Sequence, residues 1–89
     1  QNADLGRASM RFANLTNANL TNANLLSAEL TSANFTKANL SNVNFTSAKL
    51  REVNFTNATL NGATFKAIQG KDSTRGLNNN KTKNAAKFD

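Results

Sequence analysis

The stretch Ala33-Asn34-Phe35-Thr36-Lys37 states a five-residue phrase: small, polar, large and apolar, then two more polar residues. The phrase runs without a break over residues 3–67. Every residue number divisible by five from Leu5 to Phe65 is Leu, Met or Phe, and the residue two places before it is always Ala or Val. Thirteen such phrases in succession make this repeat the organising feature of the chain, and the backbone must accommodate its period before anything else is considered.

In an α-helix, a step of five residues rotates each large side chain by about 140° from the last, so the apolar groups would spiral round the rod with no stripe. In a straight β-strand the side-chain period is two, and an odd step would send successive large residues to opposite faces. Both regular elements are therefore excluded. What remains is a short extended piece whose small and large residues both point inward, followed by a corner.

If each corner turns the chain by about a right angle, four phrases close a square coil of 20 residues, and coils stack about 4.8 Å apart through parallel ladders. The side chains test that coil length, because stacked columns should hold like residues. At 20 residues per coil the inward columns are Leu5, Leu25, Phe45 and Phe65; Met10, Leu30 and Leu50; Leu15, Phe35 and Phe55; and Leu20, Leu40 and Leu60. Phe then falls only on two opposite walls. A coil of 15 would place Phe35 over Leu50 and Phe65 and mix every column. Outward residues sort too, with Asn14, Asn34 and Asn54 in one ladder and Thr16, Thr36 and Thr56 in another. The predicted fold is all-β: a quadrilateral β-solenoid of about three coils.

The phrase Ala-Asn/Asp-Leu/Phe-Thr/Ser-X resembles the pentapeptide repeat family. The resemblance covers about three quarters of the chain and implies a right-handed quadrilateral β-helix, the handedness coming from the family and not from the spacing. Departures are mild: Val43 and Val53 stand for Ala, Glu29 and Lys49 for the usual Asn or Asp, and Thr59 and Thr64 likewise. The resemblance also implies a non-catalytic scaffold or protein-interaction module. Some members protect DNA gyrase as acidic rods that mimic duplex DNA; this chain is short and carries a net charge of +6, which argues against mimicry.

The 89 residues make one small domain, expected to divide into the repeat at 1–68 and a C-terminal loop and capping segment at 69–89. The pattern stops where Gly70 takes the place of a fourteenth large residue. Asp72-Ser73 and Arg75-Gly76 read as turn signals. The run Lys81 to Lys87 holds fair helix formers, with Asn78, Asn79 and Asn80 as N-cap candidates. A short helix there, using Leu77, Ala85 and Phe88, would dock under the last coil; a disordered basic tail is the alternative. At the other end, residues 1 and 2 are too few to cover the first coil. That open edge is a candidate for self-association or for another protein, and Gln1 at the start is compatible with a removed targeting segment.

Composition removes most chemistry. There is no His, Cys, Tyr or Trp, and no base is placed to activate the many Ser and Thr hydroxyls. Five carboxylates are too few and too scattered for acid catalysis or a metal site. No catalytic residue, cofactor or metal is expected. Glu29 lies over Lys49 in one column, which predicts a solvated ion pair. The basic charges are spread over several columns and lack aromatic company, so specific nucleic-acid binding is disfavoured. No apolar run reaches the ~20 residues of a membrane span. An outward functional face, if present, is expected at Arg11, Lys49, Arg51 and Glu29 on the second wall, or at Phe12 and Leu26. The Thr16, Thr36 and Thr56 row suggests an ice- or anionic-surface-binding alternative. The Asn-X-Ser/Thr sequons are by-products of the phrase on crowded ladders, which favours a bacterial or organellar soluble compartment over a eukaryotic secretory route.

Overall fold

A computed structural model describes residues 2–76 and 87–88 of the chain. Parallel bridges join each residue at the polar second position of the phrase to the one 20 later: Asp4 to Asn24, Ser9 to Glu29, Asn14 to Asn34, Asn19 to Asn39, and onward to Lys49 and Gln69. Four turns separate successive members of a column, so each coil has four sides and the 20-residue coil is observed. The four walls are named here by their inward columns, the first through Leu25, the second through Leu30, the third through Phe35 and the fourth through Leu40.

Each corner is made the same way. The N–H of the small residue closes a turn, as in Ala28 N to the Leu25 carbonyl at 3.0 Å and Ala38 N to the Phe35 carbonyl at 2.9 Å. The residue just before it is left-handed in every phrase, from Arg7 at φ 62° through Lys37 at φ 61° to Ala67 at φ 55°. A single positive φ at the third residue of the turn is the signature of type II geometry. Because the corner leaves only one or two residues per side in extended form, most walls register as isolated bridges. Two-residue strands occur at β1 (Thr64–Phe65) and β2 (Lys87–Phe88), which pair in parallel.

All five N–H groups of the phrase at residues 34–38 are accounted for. In the third wall Phe35 N donates to the Asn54 carbonyl at 2.7 Å, Lys37 N to the Thr56 carbonyl at 2.9 Å, and Asn34 N back to the Ala13 carbonyl at 2.9 Å. Ala38 N closes the turn. The fifth, Thr36 N, bonds to the Asn34 Oδ1 at 3.0 Å, which also accepts the Thr36 hydroxyl at 2.6 Å. That local cap is the reason for Asn or Asp two places before Thr or Ser, since a short amide side chain can reach the N–H two residues on.

The core holds two facing columns of Phe rings, Phe35 and Phe55 on one wall and Phe45 and Phe65 on the opposite one, flanked by Leu. Phe35 stacks on Phe55 at 5.4 Å and Phe45 on Phe65 at 4.9 Å between centroids. Rings from the opposite walls meet edge to face across the axis, Phe45 against Phe55 at 5.8 Å and Phe55 against Phe65 at 5.9 Å. Edge-to-face and stacked pairs suit the ring quadrupoles and add to the burial of area. From Leu25 to Phe65 every large core residue is fully buried. Leu5, Met10, Leu15 and Leu20 of the first coil are only half-buried, because among the described residues no coil lies above them.

The lower end differs from expectation. The ladder does not stop at residue 68: Gln69 N donates to the Ala48 carbonyl at 3.0 Å, Arg75 N to the Val53 carbonyl at 2.9 Å, and β2 lies under β1 with Phe88 in register with Phe65. Below the repeat, residues 69–76 and 87–88 thus continue the ladder. Its step from Asn54 to Arg75 is 21 residues instead of 20, the extra residue being taken up by a 3-10 turn at Lys71–Ser73. Lys87, expected in the last turn of a helix, sits in a strand. The parallel ladder offers its backbone partners that a single helical turn would leave in water. The expectations at Leu77, Asn78, Asn79, Asn80 and Ala85 lie outside the described residues.

Candidate functional site

Among the described residues, the second wall carries the one place where outward charges gather beside an exposed aromatic. Arg11, Glu29, Thr31, Lys49, Arg51 and Gln69 line a shallow open depression of about 290 Å³. Their placement follows from the coil. Glu29, Lys49 and Gln69 share one outward column, and Arg11, Thr31 and Arg51 share the next, so residues 20 apart in sequence become neighbours in space. Sequence reasoning named four of these six. Thr31 and Gln69 were missed although they belong to the same two columns, which was the available signal.

Glu29 is held locally. Its Oε1 accepts the Thr31 hydroxyl at 2.5 Å and the Thr31 N–H at 3.0 Å, the role that Asn plays in most other phrases. The Thr31 hydroxyl and then its N–H hold the Glu29 carboxyl below the ordinary glutamate range, with the Lys49 and Arg11 charges adding more weakly and partial burial opposing. The expected ion pair with Lys49 is therefore subordinate to a cap. A carboxylate beside two hydrogen-bond donors on its own turn gains more from them than from a solvated lysine one coil away. At the same position Lys49 has no acceptor to offer Arg51 N, so one positive charge replaces a cap.

Phe12 is 72% exposed and is the exposed large hydrophobic side chain among the described residues. It occupies a left-handed corner position at φ 62°, which turns its side chain away from the coil. The Arg11 guanidinium carbon lies 5.8 Å from its ring centroid, within cation–π range. Leu26 is placed differently: it lies half-buried on the corner between the first and second walls, with its N–H bonded to the Asn24 Oδ1 at 3.0 Å. Phe12 lies on the corner between the second and third walls, so the two do not form one apolar patch.

The other walls are polar, and many of their side chains cap their own turns. The hydroxyls of Thr16, Thr36 and Thr56 donate to the Oδ1 of Asn14, Asn34 and Asn54 at 2.8, 2.6 and 2.5 Å. A second depression of about 420 Å³ is lined by Ser32, Asn34, Glu52, Asn54, Ser73 and Arg75, and it lies where the tail folds onto the coil above. Among the described residues no three His, Cys, Asp or Glu side chains are grouped as metal ligands.

The profile described as Pentapeptide repeats matches the chain in 8 copies over residues 1–36 and 28–66. This chain belongs to the pentapeptide repeat family. Family members are generally non-catalytic repeat scaffolds, and the ladders, corners and local caps above are the physical content of the repeat. A similar solved structure is a pentapeptide repeat protein from the Arabidopsis thaliana thylakoid lumen, at 28% identity and a TM-score of 0.32. The match covers 74% of this chain and 57% of that one, so this pentapeptide repeat chain spans little more than half of the neighbour's length. No curated protein matches the sequence. No helix among the described residues is long and apolar enough to cross a membrane.

Proposed function

We propose that this pentapeptide repeat chain is a non-catalytic protein-interaction module, a right-handed quadrilateral β-helix that presents its second wall to a protein partner. The observation that carries the reading is the coincidence of Arg11, Lys49, Arg51 and Glu29 in one depression with the exposed Phe12 beside it. Arginine and aromatic side chains are enriched at the centres of protein interfaces. Elsewhere on the walls the side chains of Asn14, Asn19, Asn34, Asn39, Asn44 and Asn54 are engaged with their own turns. Affinity capture with the intact protein tests the reading: a single protein retained in stoichiometric amount supports it, and recovery of nucleic acid, of a topoisomerase or of nothing sinks it.

A second reading rests on the upper edge. Leu5, Met10, Leu15 and Leu20 are half-exposed there, beside backbone edges of the kind that seek another strand. Self-association through that edge predicts a dilution-dependent dimer in sedimentation, and a monomer at every concentration would exclude it. The Thr row is a weaker candidate for ordering ice, because its hydroxyl protons already point at Asn. Gyrase protection is opposed by the net charge of +6. The Asn side chains of most sequons are locked into turn caps, which supports a bacterial or organellar soluble compartment.

A further inference from the structure

The depression on the second wall is not uniformly basic. Arg11, Lys49 and Arg51 surround the single carboxylate of Glu29, which leaves three cations against one anion and a local excess of two positive charges. Because Glu29 is anchored by both donors of Thr31, it does not swing out to neutralise its neighbours one by one. Arg11 and Arg51 occupy equivalent positions two coils apart with Thr31 between them, so their guanidinium bases start roughly 10 Å apart along the tube axis. The Thr31 hydroxyl spends its proton on Glu29 and faces a ligand only as an acceptor.

A small oxyanion is best held by donors that converge on one point inside an enclosed pocket. Here the cations are spread over two coil spacings on an open surface, with an exposed ring at one end. We propose that the second wall docks an acidic, extended protein segment, with carboxylates about 10 Å apart meeting Arg11 and Arg51 and an apolar side chain resting on Phe12. The inference rests on the protein-module reading and adds the partner's chemistry. Charge complementarity selects the occupant and sets its register, and Arg11, already over the Phe12 ring, presents its fork toward a carboxylate.

The test is fluorescence anisotropy of the intact protein at low salt with a labelled peptide of alternating Asp and Leu, beside its Asn counterpart and an oligothymidine of similar length. The Asp peptide is expected to bind at least ten-fold more tightly than either. Arg51→Gln should weaken it at least five-fold and Phe12→Ser about three-fold, while Lys37→Gln on the far side should change it less than two-fold. Glu29→Gln is the decisive variant, since the glutamine carbonyl still caps Thr31 but the negative charge is gone, and binding should tighten about three-fold. Circular dichroism melts of each variant establish that all are folded. Equal binding of the Asn peptide, tighter binding of the oligothymidine, equal loss from Lys37→Gln, weaker binding by Glu29→Gln, or no binding of the Asp peptide overturns the inference. If affinity capture retains a protein partner that Arg51→Gln does not release, only the acidic-segment inference falls; if no partner is retained either, the module reading falls with it.

Discussion

Glu29 shows how a single residue can serve the fold while breaking the sequence pattern. Its carboxylate replaces an Asn cap and is stabilised in ionised form by Thr31. A carboxyl whose folded pKa lies below its unfolded one contributes stability that is present above the unfolded value and lost as pH falls through the folded one. The wild type should therefore melt above Glu29→Gln at neutral pH, with the gap closing as the pH drops below the ordinary glutamate range. A gap that stays constant from neutral to acid pH would remove the carboxylate's role. The left-handed corners make a second residue-scale prediction. Lys37 holds φ 61°, a conformation that costs a side-chain-bearing residue on the order of 1 kcal/mol. Lys37→Gly should raise stability by roughly 0.5 kcal/mol after the added chain entropy of glycine is charged against it, measurable by urea titration.

At the scale of the element, the irregular turn beneath the second and third walls is the place where the repeat is mended. In regular coils the left-handed residue donates to a backbone carbonyl one coil below, as Ser32 N does to the Arg51 carbonyl at 2.8 Å. Under Glu52 the chain bulges by one residue, and the Ser73 hydroxyl takes that carbonyl's place, accepting Glu52 N at 3.0 Å and donating to the Gly70 carbonyl at 3.0 Å. Ser73→Ala should cost about 1 kcal/mol through the lost acceptor, whereas Ser41→Ala, whose hydroxyl only supplements an Asn cap, should cost less. The bulge also demands glycine. A Cβ on Gly70 would sit 2.7 Å from Arg51 backbone atoms, and one on Gly76 2.8 Å from the backbone of Phe55 and Thr56. With φ 82° and 79° added, Gly70→Ala and Gly76→Ala should each destabilise by roughly 2 kcal/mol. Melting temperatures unchanged by both would mean that the tail does not seat on the last coil.

For the whole molecule, burial among the described residues is asymmetric along the axis, with the core from Leu25 to Phe65 covered and the first-coil residues Leu5, Met10, Leu15 and Leu20 half-exposed. Leu40 is fully buried and Leu15 half-buried, so Leu40→Ala should cost about 3 kcal/mol or more and Leu15→Ala about 1 kcal/mol. Equal costs in denaturant titration would show that something covers the first coil in solution. This asymmetry marks the division between what the chain spells out and what folding adds. The sequence by itself determined the coil: a period of five with Ala and Leu or Phe two apart admits neither helix nor strand, and like residues stack only at 20 per turn. It also placed Arg11, Lys49, Arg51 and Glu29 on one wall, because the columns follow from the count. The left-handed corner came only with the structure: Asn17, Asn22, Asn42, Asn57 and Gly62 suit it, and Phe12 and Lys37 adopt it as well. Only the tertiary structure decided that Glu29 caps its own turn, that Leu26 is half-covered while Phe12 stands clear, and that Lys87 and Phe88 pair with Thr64 and Phe65 in the ladder. Those outcomes depend on which of several competing partners a group meets first, and a periodic sequence specifies the columns without ranking the contacts between them.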